Sequence, residues 1–354
     1  MRELLTTREL IVDLPTARGW VRPVNEVTLR IGAGESLGLV GESGSGKTML
    51  ALALMGLLPT GAKVSGEARL AAGNADAQNL ATLDEARWRR LRGLDVAMIF
   101  QEPMTSLNPV MRVGDQVAEA IAAHFPKMNA ERLQECGLEA LRLAAVPEPE
   151  GRSGQFPHQL SGGLRQRVMV AMAIAAGVSD PEGRGADGAV GITSAPQMKP
   201  RLLIADEPTT ALDVTVQKQI LELLDELRRR LGLGLLFITH DLGVVARVAE
   251  RIAVMYAGRI IEEGRVHDVL RNPRHPYTQG LIAASPTLER GRLSPIPGIV
   301  PQLTELPPGC SFEPRCPVRL RECQLAVPHL RDAGHQQFAR CILVGNEVPA
   351  RELL

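Results

Sequence analysis

This chain lacks an apolar stretch long enough to cross a bilayer. Some ~18–20 residues are needed, and the candidate run at 51–58 is short and stops at Pro59. Nor does Met1-Arg2-Glu3-Leu4 lead into a long apolar core with a small-residue cleavage site, so no secretory leader is expected. The protein is therefore expected in the cytoplasm, reaching a membrane only through a partner. Net charge is missing too: 40 Lys and Arg stand against 40 Asp and Glu. Bulk electrostatics thus points to neither nucleic acid nor an anionic membrane. Cysteine is scarce and unevenly placed, with Cys136 alone and Cys310, Cys316, Cys323 and Cys341 close to the C-terminus. In a reducing compartment such grouping suggests metal rather than disulfides. There is no internal repeat.

What is present is ample core material. The 354 residues are 45% hydrophobic, enough for about two globular domains. Short apolar runs at 36–40, 96–100, 202–205 and 235–239 predict buried parallel strands. Each ends in residues suited to phosphate chemistry: the Gly41 loop, Gln101, Asp206-Glu207 and His240. In open α/β sheets ligands bind beyond the carboxyl ends of the strands, so these four polar sites belong to one sheet edge. Helical spacing at 113–124, 130–145 and 164–176 predicts a helical subdomain, about 104–176, inserted into that sheet domain. Segments 10–14 and 26–31 predict flanking antiparallel strands, and 251–264 a hairpin. The glycine-rich stretch 177–199 has no period and is expected to be a flexible surface insertion.

Gly41-Glu42-Ser43-Gly44-Ser45-Gly46-Lys47-Thr48 fits the G-x-x-x-x-G-K-[ST] pattern between a strand and a helix. Its glycines let backbone N–H groups wrap the β- and γ-phosphates of ATP, Lys47 adds a point charge, and the Thr48 hydroxyl ligates Mg²⁺. Asp206, directly after a buried strand, is placed to hold the Mg²⁺ shell. Glu207 can then act as general base on the attacking water. His240 can orient that water or Glu207, and Gln101 can join the Mg²⁺ shell and report the γ-phosphate to the helical insert. A second glycine-rich turn, Leu160-Ser161-Gly162-Gly163-Leu164-Arg165-Gln166, opens its own helix, with Ser161 as N-cap. One phosphate tail does not need two cradles from one subunit. Ser161, Gly162, Gly163 and Gln166 are therefore expected on a nucleotide held by another copy, as in an ATPase working as a head-to-tail pair.

Taken together with Ala211-Leu212-Asp213, these motifs resemble the ATP-binding subunits of ABC transporters. The strings at 99–109 and 272–281 resemble the dipeptide/oligopeptide (and nickel) importer branch. The resemblance implies an α/β P-loop ATPase core over 1–270, with an antiparallel β subdomain and the helical subdomain. A small Cys-containing C-terminal region of the oligopeptide-transporter type would follow over 271–354. It further implies that Asp213 touches a paralogous or identical ATPase subunit. The Gln101 loop would receive two membrane-spanning permease subunits at the cytoplasmic face, fed by an extracytoplasmic peptide-binding protein, with no nucleic acid involved. ATP-driven closure of the pair would energise import of peptides, or alternatively of nickel or another small solute. The soluble ABC ATPases of translation or DNA repair usually carry two ATPase units in one chain or a long coiled-coil insert, and this sequence shows neither. Many relatives stack adenine on an aromatic ahead of the P-loop; here Trp20 is the only one, with Leu14 in another plausible slot.

The four C-terminal cysteines form no Cys-x-x-Cys pair of the kind frequent in structural zinc sites. Four thiolates suit a 4Fe–4S cluster, and Arg315, Arg319, Arg321 and Arg340 could offset its charge. Some peptide-importer ATPases carry a similar pattern associated with such a cluster. Zinc and unligated thiols are the alternatives. Being distant in sequence from every hydrolysis residue, the group is expected to be structural or redox-sensing.

Overall fold

The computed structural model describes residues 3–17, 19–72, 75–102, 106–178, 201–210, 212–286 and 294–345. The expected insertion lies outside these residues from 179 onward. The described residues gather into two compact units. One comprises 83–235 with short pieces from 1–4 and 32–34, and the other comprises 5–31, 35–82 and 236–354.

In the second unit, β1 (Glu3–Thr16) and β2 (Gly19–Gly32) lie almost wholly within its bounds. They are followed by β3 (Ser36–Val40), α1 (Lys47–Leu54), β4 (Lys63–Ala72) and β5 (Ala75–Asn79). The first unit then takes α2 (Glu85–Leu91), β6 (Val96–Ile99), α3 (Val113–Ala122), α4 (Ala130–Leu143) and α5 (Pro149–Ser153). It continues through α6 (Gly162–Val178), β7 (Leu202–Asp206) and α7 (Val214–Leu231). The chain re-enters the second unit along β8 (Gly234–Thr239), α8 (Leu242–Val248), β9 (Arg251–Tyr256) and β10 (Arg259–Arg265). It finishes with α9 (Val266–Arg271), α10 (Pro276–Ala283) and the two-residue strands β11 (Arg331–Asp332) and β12 (Phe338–Ala339).

The expected fold class holds. The second unit has an antiparallel sheet in the order β2-β1-β4-β5, and further strands in the order β11-β12-β10-β9-β3-β8. β3 runs parallel to β9, while β9 and β10 form the expected antiparallel hairpin. All residues of β3 and β8 are buried, which is why their sequences are unbroken apolar runs rather than alternating ones. Burying one such Leu or Ile stabilises the fold by about 1.5–3 kcal/mol.

In the first unit β6 pairs in parallel with β7, while α3, α4 and α6 pack against one another and α6 also lies against β6. α3 buries Val113, Val117 and Ile121, four residues apart on one face. Asn129 caps α4 by accepting the Arg132 N–H at 2.8 Å. α7 buries Ile220, Leu221, Leu223, Leu224, Leu227 and Leu231, and Gly232 ends it at φ 64°.

Two elements depart from expectation. β1 and β2 are 14 residues each, far longer than the segments 10–14 and 26–31, because cross-strand pairing carries their alternating polar residues along. The tail adds a strand to the sheet. β12 pairs antiparallel with β10, setting Glu262 against Ala339 and Glu263 against Phe338. Glu262 is fully buried and accepts the N–H groups of Arg274 (2.7 Å) and His275 (2.9 Å) and the Gln337 side-chain amide (2.7 Å). One carboxylate thus ties β10, the start of α10 and the tail together.

Candidate functional site

The phosphate loop lies between β3 and α1 in the second unit. Gly46 caps α1 at φ 107°, and a Cβ there would come within 2.0 Å of the Pro23 carbonyl, so only glycine fits. The first turn of α1 contains no acidic residue, which leaves the positive end of the helix dipole unscreened for an anion. Lys47 is buried, and its ammonium donates to the carbonyls of Gly41 (2.7 Å) and Glu42 (3.0 Å) and to Ser45 Oγ (3.4 Å). Its charge is thereby held at the loop's centre, while Ser43, Gly44 and Thr48 are exposed. His240, also exposed, follows β8, the neighbour of β3. Asp241 fixes its turn by accepting the Gly243 N–H at 2.7 Å at the start of α8.

The acidic pair lies in the first unit, at the end of β7. Asp206 is the strand's last residue and is buried, whereas Glu207 turns outward in left-handed backbone at φ 44°, a strained conformation that non-glycine residues keep mainly at functional sites. Glu207 Oε2 accepts from Thr210 Oγ1 at 3.0 Å and from Gln101 Nε2 at 3.4 Å. Gln101 follows β6, the strand paired with β7. The structure thus brings two of the sequence-predicted residues, Gln101 and Glu207, into contact. Oxygen donors of the kind offered by Asp206 and Thr48 match the preference of Mg²⁺ for hard ligands.

The second glycine turn is in the same unit. Ser161 is exposed and its Oγ accepts the Leu164 N–H at 3.4 Å, a long version of the predicted cap. Gly163 has a packing reason of its own, since a Cβ there would lie 2.6 Å from Val216 Cγ1 in the first turn of α7. Asp213 caps that turn, accepting the N–H groups of Thr215 and Val216 at 3.0 Å each. Asp213, expected at an interface, is thus also a cap, for which an Asp ahead of a long amphipathic run is the sequence signal. Gln166 is buried rather than displayed with Ser161, and its amide nitrogen has no hydrogen-bond partner in the structure.

Trp20 stands on β2, half exposed, with the Lys63 ammonium 4.3 Å from its ring centroid. In the tail the Cys310 N–H donates to the Cys323 carbonyl at 2.7 Å. Burial first, and then neighbouring cysteines, push the Cys310 and Cys316 thiols up to about 11 and raise Cys341 as well. The backbone N–H groups of Phe312, Val318 and Leu343 offset part of that rise at Cys310, Cys316 and Cys341. Among the described residues no group of three or more His, Cys, Asp or Glu is placed to hold a single metal ion. Arg315, expected beside the thiols, instead pairs with Glu42 of the phosphate loop. Nothing in the local sequence announces that pairing.

Residues 24–179 match the family model described as "ABC transporter", and 261–323 match "Oligopeptide/dipeptide transporter, C-terminal region". The dipeptide transport ATP-binding protein DppD of Haemophilus influenzae is 45% identical over 336 residues, 94% of each chain. The oligopeptide transport ATP-binding protein OppD of Mycobacterium tuberculosis is 44% identical over 345 residues, which are 97% of this chain and 52% of that one. Among solved structures, an ATP-binding cassette captured as a dimer after hydrolysis with ADP and phosphate has a TM-score of 0.59 at 26% identity. That match covers 74% of this chain and 99% of the other.

Proposed function

Because this chain belongs to the ATP-binding subunits of oligopeptide/dipeptide ABC transporters, we propose that its ATP hydrolysis drives import of di- and oligopeptides. The loop amides and Lys47 hold the β- and γ-phosphates, and Trp20 receives the adenine. Thr48, Gln101 and Asp206 would supply the oxygen ligands of Mg²⁺, which would draw charge off the γ-phosphoryl group. Glu207, aimed by Gln101 and Thr210, takes a proton from the water that attacks the γ-phosphorus, and ADP leaves. His240 holds the water in line. Ser161, Gly162, Gly163 and Gln166 serve the nucleotide of a second ATPase subunit, identical or paralogous, and Asp213 faces that subunit.

None of the helices among the described residues is long and apolar enough to cross a membrane. Two permease subunits therefore supply the membrane path and hold this chain at the cytoplasmic face, with an extracytoplasmic binding protein delivering cargo. The observation that carries the peptide reading is the tail. Residues 261–323 match a C-terminal region described for oligopeptide and dipeptide transporters, beyond the part shared by ABC ATPases at large. Cells lacking this chain should fail to grow on peptides as sole source of a required amino acid, while the free amino acid rescues them. Unaltered peptide uptake with loss of nickel-dependent enzyme activity would transfer the assignment to nickel.

A 4Fe–4S cluster on Cys310, Cys316, Cys323 and Cys341 is part of the same reading. What supports it is four thiols, Cys323 and Cys341 buried and Cys310 and Cys316 half-buried, with neighbouring cysteines raising Cys310, Cys316 and Cys341 and backbone N–H groups offsetting part of that rise, the kind of environment that tunes cluster thiolates. A cluster also spreads its ligands over a wider volume than one zinc ion does. Protein purified without oxygen should be coloured and contain iron and acid-labile sulfide. Colourless protein free of both would eliminate the cluster.

A further inference from the structure

Glu42 puts a carboxylate inside a loop built to attract anions, and an unneutralised negative charge there would repel the phosphates. The structure answers it from the tail. Arg315, with only 4% of its side chain exposed, forks onto Glu42, Nη1 donating to Oε2 at 2.7 Å and Nη2 to Oε1 at 3.1 Å. This is the bidentate geometry in which an arginine–carboxylate pair is strongest and most directional. The guanidinium is held from its other sides as well. Nε donates to the Pro297 carbonyl at 3.0 Å, Nη1 lies 3.4 Å from the Tyr256 hydroxyl, and the group sits about 6 Å from the Tyr256 and Phe312 ring centroids.

Glu42 is equally fixed along its backbone. Its N–H donates to the Tyr277 hydroxyl at 2.9 Å, and its carbonyl accepts from Lys47 Nζ at 3.0 Å and the Ser45 N–H at 3.2 Å. The aim of Arg315 is set in turn by a short helical turn between two cysteines. There Glu313 N–H donates to the Cys310 carbonyl (2.9 Å) and Cys316 N–H to the Glu313 carbonyl (3.1 Å). All of these residues lie in one compact unit.

We infer that Arg315 is a positioning residue for ATP binding, neutralising Glu42 and clamping the phosphate loop in the shape that receives the nucleotide. The inference rests on the ATPase reading. It links the cysteine turn of the tail to the loop, a connection the distance in sequence concealed.

MgATP binding to the purified full chain, measured by calorimetry for wild type, Arg315→Ala, Glu42→Gln and the double variant, tests it. Arg315→Ala should weaken binding roughly tenfold, within the range by which contacting residues couple. Glu42→Gln should weaken binding less than Arg315→Ala does, and the double variant should bind as Glu42→Gln does, recovering most of the Arg315→Ala loss, because no charge is then left to neutralise. A purely structural Arg315 would predict no recovery, and that result overturns the inference. So does Arg315→Ala binding as tightly as wild type. Should Arg315→Ala not fold, Arg315→Gln keeps the stem and a hydrogen-bonding end while losing the charge, and is held to the same loss and the same recovery. Wild type that fails to bind MgATP would overturn the ATPase reading itself, and the inference with it.

Discussion

Glu207 combines two features that rarely meet in a passive surface residue: left-handed backbone at φ 44° and a carboxylate aimed by Thr210 and Gln101. Glu207→Gln preserves shape and removes the proposed base, so turnover should fall by ~10²–10⁴ while ATP affinity is unchanged. Lys47→Ala should fail earlier, at binding, since it deletes the cation held against the Gly41 and Glu42 carbonyls. Phosphate release and nucleotide binding, measured on both variants, separate the two roles. Full turnover in Glu207→Gln would refute the base assignment. The residue types were readable beforehand, because a carboxylate after a buried strand and a lysine after a glycine loop are local patterns. Thr210 was not, since nothing distinguishes its hydroxyl in the sequence from any other.

At the level of elements, α6 and α7 form one packed corner. Gly163 lies against Val216, Asp213 caps α7, and Ser161 is left exposed at the start of α6. A bulky cation at position 161 therefore blocks what approaches from outside without disturbing the corner. Ser161→Arg should bind ATP as an isolated subunit but neither dimerise with ATP nor hydrolyse it, read by size-exclusion chromatography and phosphate release. Folded Ser161→Arg that cannot bind ATP would contradict the cross-subunit role. Strands buried on both faces, such as β3 and β8, were evident from apolar runs. β4 and β5 were not expected, because strands such as Lys63–Ala72 mix charged and small residues and depend on their neighbours in the sheet for their form.

Across the whole molecule, the tail completes the sheet and the aromatic cluster of its unit. Tyr256, Tyr277 and Phe312 have ring centroids 4.6–5.4 Å apart, and Phe312 comes from the tail. Removing everything from residue 294 onward would uncover these rings, strip Gln337 from buried Glu262 and leave β10 without its β12 neighbour. Burial of Phe312 alone contributes about 1.5–3 kcal/mol. The orphaned buried polar group costs about 1–3 kcal/mol more. Thermal unfolding of the truncated chain should therefore begin roughly 10 °C lower. A melting temperature within about 2 °C of wild type would mean that the tail is an appendage.

The sequence by itself determined the phosphate loop, the acidic pair, the second glycine turn and the buried strands that present them. These rest on short-range rules: glycine's access to φ values that other residues avoid, and apolar runs that must be buried on both faces. Tertiary structure alone decided that Gly163 is needed for packing and that the tail joins the sheet through β12. It also decided that Arg315 meets Glu42 across 273 residues of chain. A contact of that span leaves no period or spacing in the sequence. It arises only when packing brings two buried groups together and their charges must be paired.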